Sequence, residues 1–157
     1  MTSTNSGFLI LDFGSQVTQL IARRLREMGY YSEIKHFAYP IEEIKKNKYA
    51  GIILSGGPHS VYEEGAPYRS VKELIDVAPV MGICYGMQLI CHDLGGKVES
   101  AVSREYGYKT VNWSKSIFSD GMKAQPVWMS HGDVVVSPPA GDQVIAETED
   151  HPAAIEK

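Results

Sequence analysis

Five consecutive residues, Gly82-Ile83-Cys84-Tyr85-Gly86, have the form Gly-x-nucleophile-x-Gly. A thiol is a nucleophile once it is a thiolate, so anything that favours the anion favours chemistry. The segment lies between an apolar run, Val80–Ile83, and a stretch with helical spacing, Tyr85–Leu94. That context predicts a tight strand-to-helix turn that raises the side chain at the strand's carboxyl end. The helix that follows would aim its amino terminus at the sulfur, which predicts a lowered thiol pKa and backbone N–H groups able to hold an oxyanion. An inert core cysteine is the plainer alternative. Cys91, seven residues on in the same helical stretch and without its own glycine pair, reads as packing.

A second loop supports the first. In Ile53-Leu-Ser-Gly-Gly-Pro-His-Ser60, two glycines and a proline follow an apolar strand. Glycines there can turn a backbone N–H outward; a plain strand-end turn is the alternative. A phosphate loop of the form G-x-x-x-x-G-K-[ST] is absent, as is the Ser-Gly-Gly-x-Asp-Ser pattern of ATP pyrophosphatases.

These residues need a scaffold, and the first half of the chain spells one out. Phe8–Leu11, Tyr31–Phe37, Tyr49–Leu54 and Val80–Ile83 read as strands. Between and after them, Val17–Leu25, Ile41–Lys48, Tyr68–Val77 and Tyr85–Leu94 read as helices. Short strands alternating with helices predict an α/β fold with an open, mostly parallel sheet flanked by helices. Ligands bind such sheets at the strands' carboxyl ends. The second half reads as β-rich, with short strands at Val98–Val102, Gly107–Trp113, Pro126–Met129, Val134–Val136 and Val144–Ala146, and a further strand opening at Ala153–Ile155. Residues 1–7 are read as a disordered tail and 8–157 as one domain.

The totals narrow the class. A chain of 157 residues suits one domain with a core. Its net charge of −4, without a basic stripe, argues against nucleic acid as a partner. No apolar run approaches the roughly 20 residues of a membrane span. The polar start lacks the pattern of a signal peptide. Two cysteines make neither a disulfide framework nor a zinc pattern, so no metal is expected and a reducing cytoplasm is the expected compartment.

Taken together, the stretches Ile10–Glu27, Gly51–Pro67, Gly82–Ile90, Leu94–Glu99, Arg104–Tyr108 and Val127–Asp133 resemble class I glutamine amidotransferases, a flavodoxin-like three-layer fold. Asp12-Phe-Gly-Ser-Gln16, Ser55–Tyr62 and Trp128–Asp133 resemble the glutaminase domain of the GMP synthetase branch. The resemblance implies that Cys84 attacks the side-chain amide of glutamine and that ammonia passes to a synthetase site where XMP becomes GMP. It implies oxyanion-hole N–H groups from Gly57 and Tyr85. It also implies glutamine contacts from Gln88, from the Ser130 and Gly132 backbones, and from Asp133. The expected partner is an ATP-pyrophosphatase synthetase domain or subunit. ATP and magnesium are expected there, and no cofactor in this domain.

The family's His-Pro-Glu motif is missing. His151-Pro152 is followed by Ala153-Ala154, and His131 falls in the glutamine-binding loop by resemblance. His36, His59 and His92 read as surface or packing residues. The expectation is a domain incomplete at its C-terminal side, with low or no activity alone. Alternatives are the glutaminase of anthranilate, aminodeoxychorismate or carbamoyl phosphate synthesis, a non-catalytic partner-binding module on the same fold, and a cysteine hydrolase.

Overall fold

The computed structural model describes residues 7–157, and for 101–106 the backbone alone. The tail expected at 1–6 lies outside the described residues. Gly7, assigned to that tail, is buried: its carbonyl accepts the Ala50 N–H at 2.9 Å. The chain divides into two compact units, residues 1–93 and 94–157.

In the first unit, β1 (Phe8–Asp12), β2 (Ser32–His36), β3 (Gly51–Leu54) and β4 (Val80–Gly82) form a parallel sheet in the order β2-β1-β3-β4. The helices α1 (Thr18–Glu27), α2 (Ile41–Asn47), α3 (Val71–Ile75) and α4 (Tyr85–Asp93) alternate with these strands. The order reverses direction at β1. With right-handed crossovers that places α1 on one face and α2 and α3 on the other. Side chains confirm the two-sided burial. Ile10 and Ile53, paired in register, pack with Ala22, Ile21 and Leu25 of α1 and with Ile34 and Ile83. Leu9, Leu11, Ile52 and Leu54 alternate to the opposite face and are equally buried. Strands covered on both faces must be apolar throughout, which is why β1 and β3 read as unbroken apolar runs.

The expected α/β alternation is thus present, with the largest boundary shift at the start of α3. Helix α3 starts at Val71, three residues later than its spacing predicts. The Asp93 carboxylate accepts the Val71 N–H at 2.8 Å and the Tyr68 hydroxyl at 2.6 Å, which holds 68–70 outside the helix.

The second unit is antiparallel: β5 (Lys97–Trp113), β6 (Gln125–Ser137), β7 (Gln143–Glu147) and β8 (Pro152–Glu156), in the order β6-β5-β7-β8. Four strands expected as separate pieces here merge into two. Val98–Val102 and Gly107–Trp113 are both part of β5, while Pro126–Met129 and Val134–Val136 are both part of β6. The pairing jumps from Ser100↔Asp133 to Glu105↔His131, so residues 101–104 lie opposite Gly132. A bulge of that kind absorbs extra residues without ending the ladder. Among the described residues no helix is long and apolar enough to cross a membrane.

Candidate active site

The turn at Cys84 is built by what its neighbours lack. A Cβ on Gly82 would sit 2.4 Å from the Gly86 carbonyl carbon and 2.5 Å from the Met87 nitrogen. A Cβ on Gly86 would sit 2.4 Å from the Leu54 carbonyl oxygen. Only glycine lets α4 start this close to the ends of β3 and β4. The Gly86 N–H then bonds the Ser55 carbonyl at 3.1 Å, and the Gln88 N–H bonds the Cys84 carbonyl at 3.0 Å. The chain reverses through Cys84 itself at φ 54°, a left-handed conformation that costs a non-glycine residue about 1–3 kcal/mol.

Cys84 is half-buried, and its sulfur accepts the Tyr85 N–H. Two opposing influences set its acidity. Burial pushes the thiol up, the Tyr85 N–H pulls it down, and burial is the larger. The lowered pKa expected from the helix terminus is therefore not what the structure has: desolvation outweighs a single backbone donor, and neither influence is a charged side chain. The sign for reactivity follows. A raised pKa means less thiolate at neutral pH than a free cysteine has. The rate of Cys84 alkylation by iodoacetamide should keep climbing beyond about pH 8.5, the midpoint of an ordinary thiol. A rate–pH profile levelling off below that value would contradict the balance.

Two loops face the elbow. After β3, Gly56 comes close enough that a Cβ placed on it would lie 3.4 Å from the Cys84 Cβ and 3.6 Å from the Ser15 Oγ. Gly57 is pressed against the loop after β1; a Cβ there would meet the Phe13 carbonyl oxygen at 2.5 Å. That loop is held from below. Asp12 Oδ1 accepts the Gly14 N–H at 3.0 Å and the Thr18 hydroxyl at 2.8 Å. Ser55, fully buried, accepts the Phe13 N–H on its hydroxyl at 2.9 Å and donates to the Gly56 carbonyl at 2.8 Å. The loops after β1 and β3 therefore meet beside the elbow at the end of β4, with Gly56 against Cys84 and Ser15 against Gly56.

Tyr85 carries two functions on one residue. Its N–H faces the sulfur. Its side chain is buried, tilted against Phe13 with ring centroids 5.5 Å apart, and donates its hydroxyl to the Pro67 carbonyl at 2.6 Å. Tyr85→Phe keeps the ring and strands that carbonyl. It is expected to cost about 1–2 kcal/mol of unfolding free energy, read by urea denaturation.

Of the residues singled out from the sequence, Cys84, Tyr85 and Gln88 stand together at the start of α4, with Gln88 one helical turn after the cysteine and buried, while Gly57 lies in the loop after β3 against Phe13. Ser130, Gly132 and Asp133 share strand β6 of the second unit. Ser130 is exposed, Gly132 faces the bulge and Asp133 is buried. Cys91 is completely buried in α4. His59 pairs with Glu63 at 3.0 Å, His92 meets the Tyr62 ring edge-on, and His36 lies on Phe37. Sequence reasoning used Asp12, Ser15, Thr18 and Ser55 only as parts of matching stretches and gave none of them a role. The one available signal was an aspartate at a strand end followed by Gly-Ser. Among the described residues no cluster of three or more His, Cys, Asp or Glu side chains could hold a metal ion.

Residues 9–157 match the family model described as glutamine amidotransferase class-I. The chain is 61% identical over 152 residues to a GMP synthase [glutamine-hydrolyzing] of Bdellovibrio bacteriovorus, covering 96% of this chain and 30% of that protein. A protein of the same name from Aquifex aeolicus is 50% identical over 149 residues, covering 94% and 29%. The chain thus spans about 30% of the length of these curated relatives. A solved glutamine amidotransferase from Thermotoga maritima superposes with a TM-score of 0.75 at 20% identity, covering 94% of this chain and 69% of that one, and so shares the fold.

Proposed function

Because the chain belongs to the class-I glutamine amidotransferase family, we propose that it is a glutaminase domain that acts on glutamine through Cys84, with low or no activity alone, and supplies the ammonia to a GMP-forming synthetase. The observation that carries this reading is Cys84 itself: a non-glycine residue at positive φ, between two glycines that tolerate no side chain, at the carboxyl end of a parallel strand.

The chemistry follows from the atoms present. The sulfur forms a bond to the amide carbon of the glutamine side chain, and the C=O π electrons move onto oxygen. Gly57 and Tyr85 N–H groups hold that oxyanion. Collapse of the intermediate breaks the C–N bond, and the nitrogen leaves as ammonia after taking, through water, the proton that the thiol gave up. Water then cleaves the thioester to glutamate and restores the thiol. Splitting one difficult step into two is what the covalent route contributes. Gln88, buried one helical turn after the nucleophile, helps hold the glutamine. ATP, magnesium and XMP belong to the synthetase region, and the site of action is the cytoplasm.

Two measurements test the reading. Incubation with a chloromethyl ketone analogue of glutamine should add one adduct per chain, on the peptide containing Cys84, and millimolar glutamine should slow it competitively. An adduct on Cys91, or none, would sink the nucleophile assignment. For the pathway, this chain mixed with the separately produced remainder of the Bdellovibrio relative, XMP and ATP should form GMP from glutamine. GMP formed from free ammonia only would remove the coupling.

A further inference from the structure

We propose that Ser55 is a positioning residue for the oxyanion donor of Gly57. The inference rests on the glutaminase reading above and adds to it a residue that makes no contact with substrate.

The argument concerns a single peptide unit. The Gly56 carbonyl and the Gly57 N–H belong to the same planar amide, and in a trans peptide they point in opposite directions. Fixing one end fixes the other. The Ser55 hydroxyl donates to the Gly56 oxygen at 2.8 Å and thereby sets the direction of the Gly57 N–H. The unit needs such a latch. It joins two glycines, whose φ and ψ are the least restricted of any residue, so the hydrogen bond at its carbonyl end adds to the packing of Gly57 against Phe13 in fixing the amide.

Ser55 is in turn held so that its one proton has one destination. Its oxygen accepts the Phe13 N–H at 2.9 Å, a bond that spans 42 residues of sequence and joins the β1 loop to the β3 loop. The Asp12 Oδ1 lies 3.5 Å from the same oxygen and is already engaged by Gly14 and Thr18. The nearer Gly56 carbonyl therefore takes the hydroxyl proton. Ser55 has no exposed surface, so no water competes for either bond. Its backbone carbonyl accepts the Gly86 N–H at 3.1 Å, so the same residue also touches the first turn of the helix behind Cys84.

Alkylation by the chloromethyl ketone analogue of glutamine reads this directly. The sulfur forms a C–S bond to the chloromethyl carbon, chloride leaves, and the thiol proton passes to water, while the ketone oxygen occupies the oxyanion position. In Ser55→Ala the maximal inactivation rate should fall about tenfold or more, since loss of a whole oxyanion donor costs about 10²–10³. The half-saturating analogue concentration and the iodoacetamide rate should each stay within about threefold. Ser55→Thr, which keeps the hydroxyl, should restore the inactivation rate to within about threefold. An unchanged inactivation rate in Ser55→Ala would overturn the proposal. So would an equal fall in the inactivation and iodoacetamide rates, or a folded Ser55→Thr that rescues nothing. Should threonine fail to fold in this closed site, Asp12→Asn supplies the second variant. It keeps an oxygen acceptor for Gly14 and Thr18 and leaves Ser55 in place, so it should retain the unaltered chain's ratio of inactivation to iodoacetamide rates. Collapse of that ratio to the Ser55→Ala value would overturn the assignment to Ser55. If the unaltered chain reacts no faster with the glutamine analogue than with the corresponding alanine analogue, the glutaminase reading fails, and the role of Ser55 falls with it.

Discussion

Cys84→Ala should abolish capture of the glutamine chloromethyl ketone, lowering the rate by at least about 10³-fold and leaving the mass of the chain unchanged. The size of the effect follows from having nothing to substitute for the thiol. Cys91 is sealed inside α4 with no exposed surface and cannot take over. Cys84→Ser is the sharper version. It preserves the size of the side chain and changes only the nucleophile, whose hydroxyl stays protonated at any pH the fold survives. If Cys84 were merely packing, serine would leave a slow background reaction untouched and the unaltered chain would show no faster one. If Cys84 is the nucleophile, serine and alanine are equally silent. Intact-mass spectrometry over a time course measures all three chains. A labelled alanine variant would end the assignment.

Gly82→Ala and Gly86→Ala should each destabilise the first unit by about 3 kcal/mol or more, near the upper end for overpacking, because the new methyl meets main chain. At Gly86 the added carbon would stand 2.4 Å from the Leu54 oxygen and 2.8 Å from its carbonyl carbon; at Gly82 it would stand 2.4–2.5 Å from three atoms of the helix start. Carbon atoms in contact prefer about 3.5–4.0 Å, so α4 must part by roughly 1 Å from β3 in Gly86→Ala and from β4 in Gly82→Ala. For a chain of this size the cost corresponds to a fall of about 6–12 °C in Tm. Thermal denaturation followed by circular dichroism checks it. A drop of under 2 °C in both variants would show that the helix can slide away freely and that the close approach matters little.

The first unit was legible because its signals are local. Apolar runs at Phe8–Leu11 and Tyr49–Leu54 need no tertiary information to be read as strands buried on both faces, and the glycines around Cys84 mark the turn. The start of α3 was not, because Tyr68 continues the helical spacing while its hydroxyl is held by Asp93, 25 residues away. The second unit was read as too many strands for a related reason. Polar residues at 103–105 and 130–133 break the alternation, yet the backbone ladder runs on through a bulge. At the site, residue types disclosed the elbow and the paired glycines, but not the acidity of the thiol. That acidity is a contest between burial and one N–H, and it depends on how deep the sulfur sits. Ser55 escaped notice for the same cause: a serine beside two glycines looks like turn chemistry until its hydroxyl is seen between Phe13 and Gly56.

The left-handed backbone at position 84 sets durability against purpose. Glycine occupies that conformation without penalty, so a search that rewarded only heat resistance would tend to erase the thiol. Replacing Cys84 by glycine would relieve the strain and remove the proposed nucleophile in one step, so thermal hardening that spares the proposed activity has to be sought elsewhere in the sequence.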